Sequence, residues 1–492
     1  MPLGPRTKTA VFLLAILFVG AFLRFHGVTG RSLEYDDTQS VMFAARSTPD
    51  VLRAVRELDP HPPLFYLQLH YWMRAGGSDA WLRINSGVWG LLGILALYAA
   101  VRYVFRNNAL ALAAALLLAV NPMAVRCALQ VRMYPMVMTL ATLAWLGTHG
   151  MLATPRLWKA LLFGLLAMAA ALAATWTHGT GVLIYPALAV YALVYTLVRR
   201  GGWPRLLLAG ALLGLSALGA IPWLRAAQDI SVGHTQVPNV KHILETLAML
   251  FAGFQPAFAV WALWGAFLVL LCVCGVLMRR RRSAAPALAA GLIVTPLLLF
   301  LVISHEVRAI WLARPVASIP TPALCAGVAL VLVPAQRGSG ATRPRWRFRA
   351  GLCGLLLVAA SQAWLAERQK PHLPDYGYGQ LTAWLKEHAQ PNDTIVPSRR
   401  LVWGVIRYWA GPDHHLPIGK GRLDVEGGPT IIAWIPTRNI EAGKTYWLIY
   451  RPWMKWHDLA GFAPLVKNKT LRTGKEHTFG KLAVLRATLP KK

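Results

Sequence analysis

Ile84-Asn85-Ser86-Gly87-Val88-Trp89-Gly90-Leu91-Leu92-Gly93-Ile94-Leu95-Ala96-Leu97-Tyr98-Ala99-Ala100-Val101 runs eighteen residues without a charge, then meets Arg102 and, four residues on, Arg106. At ~1.5 Å of helix rise per residue, an apolar helix needs about 20 residues to cross ~30 Å of hydrocarbon. The stretch, extended to Tyr103, reads as one crossing that ends on a basic cluster. Ten further stretches repeat the pattern: Thr9–His26, Ala109–Asn121, Pro135–Thr148, Leu157–Thr175, Gly181–Val198, Pro204–Trp223, Ala257–Met278, Ala284–Ile303, Pro315–Val333 and Ala350–Leu365. The shorter ones are completed by aromatic residues at the interface. Ala10–Leu23 has the length of a signal-peptide core, but no small-x-small cleavage site precedes Arg31-Ser32, so it reads as a retained helix.

Composition agrees. Of 492 residues, 56% are hydrophobic and 14% charged, against about 25% charged in an ordinary soluble domain. The dense Leu, Ala, Val and aromatic content excludes disorder. A formal charge of +31 raises nucleic-acid binding, yet the placement of the charges argues otherwise. With the N-terminus inside, the cytoplasmic segments hold 18 basic residues, from Arg6 and Lys8 to Arg349, and no acid. All 20 carboxylates fall on the other side. This is the positive-inside pattern. It predicts a mainly α, polytopic membrane helical bundle of about 11 spans, N-in and C-out, with membrane lipids and not nucleic acid as its surroundings. The five cysteines lie in or beside spans, so the tail must fold through its own core without disulfides.

Two outer segments are long. Residues 30–83 carry an amphipathic helix at Thr38–Ala45 that continues through Pro49–Leu58, and Leu64–Met73 reads as an interfacial helix too short to cross. The tail from 367 to 492 alternates helical patterns (Tyr376–His388, Leu401–Trp409) with strands (Thr394–Val396, Thr430–Trp434, Tyr446–Tyr450, Lys481–Leu485), which predicts an extracytoplasmic α/β domain. The expected organisation is a membrane domain over residues 1–366, including the outer loop 30–83, and a separate domain over 367–492. The tail holds no recognisable catalytic cluster. Ala442-Gly443-Lys444-Thr445 lacks the leading glycine of a P-loop, and His414-His415 reads as an incidental pair.

Acids are scarce in the membrane region: between residues 80 and 366 there are only Asp229, Glu245 and Glu306. Glu34-Tyr35-Asp36-Asp37 therefore stands out as three acids in four positions, just outside the first span. An Asp with weakened solvation at a membrane boundary can serve as a base. The plainer reading is a helix N-cap, but a cap needs one short polar residue rather than three acids. His61-Pro62-Pro63 after Asp59-Pro60 is a rigid turn that aims His61 at the membrane face, toward a phosphate or sugar. Between the third and fourth spans, Arg126 and Arg132 run against the positive-inside bias, as do Arg308 and Arg314 in a later outer loop. Guanidinium pairs bidentately with phosphate, so a lipid phosphate is one local reason; general attraction to anionic headgroups is the other.

Taken in order, Leu33-Glu34-Tyr35-Asp36-Asp37, His61-Pro62-Pro63-Leu64-Phe65-Tyr66-Leu67, Asn121-Pro122 and Gln130-Val131-Arg132-Met133-Tyr134 resemble the dolichyl-phosphate-mannose-protein mannosyltransferase-like family of GT-C membrane glycosyltransferases. That family includes bacterial relatives such as the aminoarabinose transferase acting on lipid A. Order and spacing match over residues 20–200, with thinner matches at Arg314-Pro315 and Leu381–Ile395. The resemblance implies transfer of one pentosyl or hexosyl unit from a polyprenyl-phosphate donor to a lipid, glycan or protein acceptor, on the outer face of what is expected to be a bacterial inner membrane. It maps the catalytic base to Asp36, with Asp37 where Glu is usual, and donor-phosphate binding to Arg132, supported by Arg126, Arg308 and Arg314. Glu34, Tyr35, His61, Gln130 and Tyr134 fall to substrate binding. Val131 stands where the family commonly carries an acid.

The chemistry fits these residues on its own terms. Polyprenyl phosphate is a good leaving group, so a base for the acceptor and cations for the phosphate suffice, and direct displacement inverts the anomeric centre. No cofactor is required by this scheme. No Asp-x-Asp occurs, but Glu34-x-Asp36 and Glu57-x-Asp59 keep a divalent cation open. The competing class is a lipid or sugar transporter or flippase, which places ionisable or helix-breaking residues mid-span at repeat interfaces; these spans have almost none and no repeat is visible. A non-catalytic scaffold is the third reading, to which Val131 lends some weight.

Overall fold

The computed structural model describes residues 4–59, 61–228, 237–253, 265, 267–269, 272–273, 284–307, 309–333, 345–373, 375–398, 401–411, 422–426, 428–432, 440–459 and 462–490. It divides into two compact units: residues 1–27, 55–65 and 83–372 form one, and residues 28–54, 66–82 and 373–492 form the other. Most of residues 30–83 thus falls in the second unit with residues 373–492.

In the first unit the expected spans are helices. α1 (Pro5–Phe25) is followed, beyond the outer helices α2 (Tyr35–Ala44), α3 (Thr48–Leu58) and α4 (Leu64–Met73), by α5 (Asp79–Phe105), α6 (Asn108–Val120) and α7 (Pro122–Ala128). Next come α8 (Tyr134–Ala153), α9 (Leu157–Thr177), α10 (Ile184–Arg199), α11 (Trp203–Leu218), α12 (Ile221–Gln228) and α13 (Val240–Ala252). α14 (Ala284–Glu306) carries a π-helical stretch at Leu288–Val294, and α15 (Ala313–Ala317), α16 (Pro320–Leu332) and α17 (Arg345–Arg368) complete the unit. Among the described residues seven helices are long and apolar enough to cross a membrane, and the bent pair α6–α7 makes an eighth. α11 and α16 are apolar but shorter, and the expected span Ala257–Met278 lies largely outside the described residues. The chain is an integral, multi-pass membrane protein of mainly helical fold.

Two local features explain how the bundle closes. The α6–α7 axis bends by 58° at Asn121-Pro122. Proline has no N–H to continue α6 and drives the preceding residue out of the helical region; Asn121 is extended, and its side chain accepts from Ala124 N at 2.9 Å to start α7. Arg24, 1% exposed, places its guanidinium on the carbonyls of Ala119 (2.7 Å), Leu118 (3.3 Å) and Gly20 (3.1 Å). A buried cation thereby satisfies the C-terminal carbonyls that the break leaves open. Elsewhere small residues permit close helix approach: a methyl on Gly147 of α8 would fall 2.6 Å from Ala167 N and 2.7 Å from Phe163 O of α9.

The second unit holds a six-stranded mixed sheet of order β2-β3-β1-β4-β6-β5. β1 (Thr394–Pro397) is parallel to β3 (Thr430–Ile432) and β4 (Thr445–Tyr450); β2 (Arg422–Asp424), β5 (Arg472–Phe479) and β6 (Leu482–Thr488) pair antiparallel. Alternation at period two sorts the strands' side chains. Ile395, Ile431, Trp447, Ile449 and Val484 join one core with α18 (Tyr378–His388) and α19 (Val402–Ala410), while Val396, Tyr446, Leu448, Tyr450 and Leu485 join another. Two of the six strands escape the sequence pattern. β2 is three residues long, and β5 is an edge strand whose residues Arg472 to Lys475 are exposed, so no apolar alternation marks it. The expected strand end at Trp434 and the pair His414-His415 lie outside the described residues.

Candidate functional site

One end of the membrane helices gathers one group of the expected residues. The turn between α7 and α8 carries Gln130 and Arg132, and α8 opens with Tyr134; all three are buried, at 1%, 6% and 4% exposure. The backbone of Arg132 is held by Ser86 of α5, whose Oγ donates to Arg132 O at 3.1 Å and accepts from Arg132 N at 3.3 Å. The guanidinium then meets His61, with Nη2 3.4 Å from His61 Nε2. His61 owes its placement to the turn before it: Asp59, 8% exposed, accepts from His61 N at 2.7 Å. Arg314, from α15, donates from Nη1 to Gln130 Oε1 at 2.9 Å. Both guanidinium carbons stand over the Tyr134 ring, Arg314 at 5.5 Å and Arg132 at 5.9 Å from its centroid.

His178, between α9 and the next helical turn, completes this group, and the sequence reasoning passed over it. Its ring lies 4.5 Å from that of His61 and 5.6 Å from that of Tyr134. Nδ1 accepts from Thr180 N at 3.1 Å, which leaves the imidazole neutral at that nitrogen. Burial, then the nearby His61, Arg132 and Arg314, hold its pKa well below the ordinary histidine range. Its signal in the sequence was a lone polar residue closing an apolar span before Gly179-Thr180-Gly181, which by itself reads as an interfacial cap.

Within this unit the structure thus joins His61, Gln130, Arg132, Tyr134 and Arg314. Arg126 stands half-buried on α7, and Arg308 lies outside the described residues. Val131 is fully buried, so the position that is acidic in the resembling family is here an apolar packing position. Chemically, two guanidiniums and a histidine around an aromatic ring suit a phosphate: the guanidiniums supply paired donors in a fixed fork, and the ring supplies an apolar wall.

The acidic group belongs to the second unit. α2 starts at Tyr35 with Glu34 as its N-cap, and Glu34 and Asp37 form a capping box in which Asp37 Oδ2 accepts from Glu34 N at 3.3 Å. Asp37 is 1% exposed. Two of the three acids thereby have a helix-starting task, while Asp36, at the second helical position, is partly exposed. Tyr35 contacts Gln39 Nε2 through its hydroxyl. The segment entering α2 is tied to α19: Leu33 N donates to Tyr408 Oη at 2.7 Å, Tyr408 Oη donates to Asp79, and Arg407 Nη2 pairs with Asp79 at 2.8 Å. Burial, and then the Asp79 carboxylate, push the Tyr408 phenol above its ordinary range, so it remains a proton donor. Among the described residues no group of three or more His, Cys, Asp or Glu side chains is placed to hold a metal ion.

Residues 60–224 match the model of the dolichyl-phosphate-mannose-protein mannosyltransferase family. No curated protein matches the chain significantly by sequence. Among solved structures, ArnT from Cupriavidus metallidurans in the apo state is similar at a TM-score of 0.64 and 14% identity, covering 99% of this chain and 100% of that one. ArnT bound to undecaprenyl phosphate gives 0.61 and 15%, with the same coverage. The oligosaccharyltransferase AglB from Archaeoglobus fulgidus, in complex with an inhibitory peptide and a dolichol-phosphate, gives 0.60 and 12% over 95% of this chain and 73% of that one. The chain therefore has the membrane fold seen in ArnT and AglB, and its residues 60–224 are similar to the dolichyl-phosphate-mannose-protein mannosyltransferase family.

Proposed function

We propose that the chain is a membrane glycosyltransferase that moves one sugar from a polyprenyl-phosphate donor to a lipid, glycan or protein acceptor on the outer face, with inversion at the anomeric carbon. The observation that carries this reading is the group at the outer ends of the membrane helices that joins buried Arg132, Gln130 and Tyr134 with half-buried His61 and Arg314. It suits a phosphate held at headgroup level, and similarly folded ArnT and AglB bind undecaprenyl phosphate and a dolichol-phosphate.

In this scheme the acceptor's oxygen or nitrogen forms a bond to the anomeric carbon as the bond from that carbon to the phosphate oxygen breaks. The electron pair leaves with the phosphate, where Arg132 and Arg314 offset the charge. The acceptor's proton passes to a carboxylate. Asp36 takes that role, as the resemblance of Leu33-Glu34-Tyr35-Asp36-Asp37 to the family's first outer loop implies, and its side chain is partly exposed at the second position of α2. A pentosyl or hexosyl donor, and a bacterial inner membrane as the setting, complete the proposal.

The test uses purified full-length protein in liposomes with polyprenyl-phosphate sugars. Asp36→Asn is expected to lower turnover by about 10²–10⁴-fold, the usual contribution of a general base, with donor affinity within about threefold of wild type. Arg132→Ala is expected to weaken donor binding by at least tenfold, as loss of a charged partner does. Wild-type turnover in Asp36→Asn would overturn the base assignment, and unchanged donor affinity in Arg132→Ala would overturn the phosphate site. Movement of the donor across the bilayer without sugar transfer would replace the reading with a flippase.

A further inference from the structure

At the opposite end of the same helices lies a second cationic site. The last turn of α5, the end of α8 and the last turn of α10 line an open cavity of about 720 Å³ whose lining includes exposed Arg102, Arg106, Arg199 and Tyr103 and buried Tyr195 and His149. The fifteen positions from Tyr134 to His149 along α8 correspond to about 22 Å of helix, so this cavity is well separated from the Arg132 group. By the charge pattern of the loops it faces the cytoplasm.

The three arginines come from two helix ends and converge on one space. Arg102 lies in the last turn of α5 and Arg106 just beyond its end, and both line the same cavity, where like charges repel. Arg199 is steadied by its Nη1 donating to Tyr195 Oη at 3.0 Å, and its guanidinium lies 5.5 Å from the Tyr195 ring. His149 is buried, its Nδ1 2.7 Å from Tyr191 Oη and its ring 5.0 Å from that of Tyr195. No ion pair engages Arg102, Arg106 or Arg199 among the described residues, and no carboxylate lines the cavity. Topology and helix dipoles account for arginines somewhere on this face. They do not account for three of them around a cavity with a polar wall.

We propose that this cavity binds a phosphate oxyanion, supplied by the headgroup of an anionic phospholipid of the cytoplasmic leaflet. Basic pockets between membrane helices on the cytoplasmic side take such headgroups, and an anion here offsets the mutual repulsion of the three guanidiniums. The site is independent of the proposed sugar transfer, since none of its residues belongs to the outer group.

The experiment measures lipid retention by native mass spectrometry of the full chain, titrated with phosphatidylglycerol or phosphatidylcholine, and in a separate arm with glycerol phosphate. Wild type is expected to retain phosphatidylglycerol at least tenfold better than phosphatidylcholine. Each arginine removed is expected to reduce that preference about fivefold. Arg106 sits at φ 51°, in the left-handed region that asparagine tolerates. Arg106→Asn therefore removes one charge without new backbone strain, and Arg102→Lys with Arg199→Lys keeps charge as a folding control. Glycerol phosphate binding as tightly as the lipid would support the phosphate chemistry with a soluble ester as its source. Equal retention of both lipids together with no binding of glycerol phosphate, or a preference unchanged in Arg106→Asn and in Arg102→Gln/Arg199→Gln, would overturn the proposal.

Discussion

Arg314 Nη1 donates to Gln130 Oε1 at 2.9 Å, joining two segments 184 residues apart in the chain. Gln130 is 1% exposed, so its amide is oriented by packing and in turn orients a long, rotamer-rich side chain. Ordering such a side chain in advance lowers the entropy cost of binding an anion. Gln130→Ala should therefore weaken donor binding by about threefold to tenfold, and adding Arg314→Gln to it should cost less than Arg314→Gln costs in the native background. A double-mutant cycle on donor affinity checks this; strictly additive effects would show that the hydrogen bond has no part in binding.

Asp37 accepts from the backbone of Glu34 at the start of α2. Loss of such a cap costs about 1 kcal/mol. Asp37→Ala is expected to lower the unfolding midpoint by a few degrees, and Asp37→Asn, which keeps an accepting oxygen, to restore most of it with sugar transfer within about threefold of wild type. Abolished transfer in Asp37→Asn would instead put Asp37 beside Asp36 in the chemistry.

His178 is held neutral by burial, with its pKa well below the usual value of 6.5. As pH falls through ~6.5 the unfolded chain takes up a proton at this residue and the folded protein does not. Stability that is present above ~6.5 is therefore lost on acidification, by about 1.4 kcal/mol per pH unit at most. Thermal midpoints measured from pH 8 to pH 5 should fall more steeply for wild type than for His178→Gln. Parallel slopes would contradict the assignment.

Gly147 gives α9 room to approach α8, because an added Cβ meets the backbone of Phe163 and Ala167 at 2.7 Å and 2.6 Å. Backbone cannot swing away as a side chain can. Gly147→Ala should cost about 1–3 kcal/mol through overpacking, read as a lower unfolding midpoint in detergent; an unchanged midpoint would mean that the two helices separate freely.

Much of the architecture was legible because membranes impose strong, local rules. The long apolar helices and α4 at Leu64–Met73 follow from run length and turn residues, each readable without knowing any neighbour. The same holds for α18 and for the apolar strands β4 and β6, whose alternation is plain. Where the signal was not local, the reading fell short. β5 looks like a polar loop because an edge strand exposes its side chains, and Arg24 looks like the end of a span until the carbonyls of α6 arrive beside it.

The sequence by itself determined that this chain is a helical membrane bundle, and that its few acids at residues 34–37 and its arginines at 126, 132, 308 and 314 run against the prevailing charge pattern. Only the tertiary structure decided which of these meet. It brought His61, Arg132, His178 and Arg314 together from four separate segments, and it set Glu34 and Asp37 in a capping box at the start of α2. Run length and charge act along the chain, whereas a binding site is a set of distances between side chains remote in sequence, and those exist only once the helices have packed.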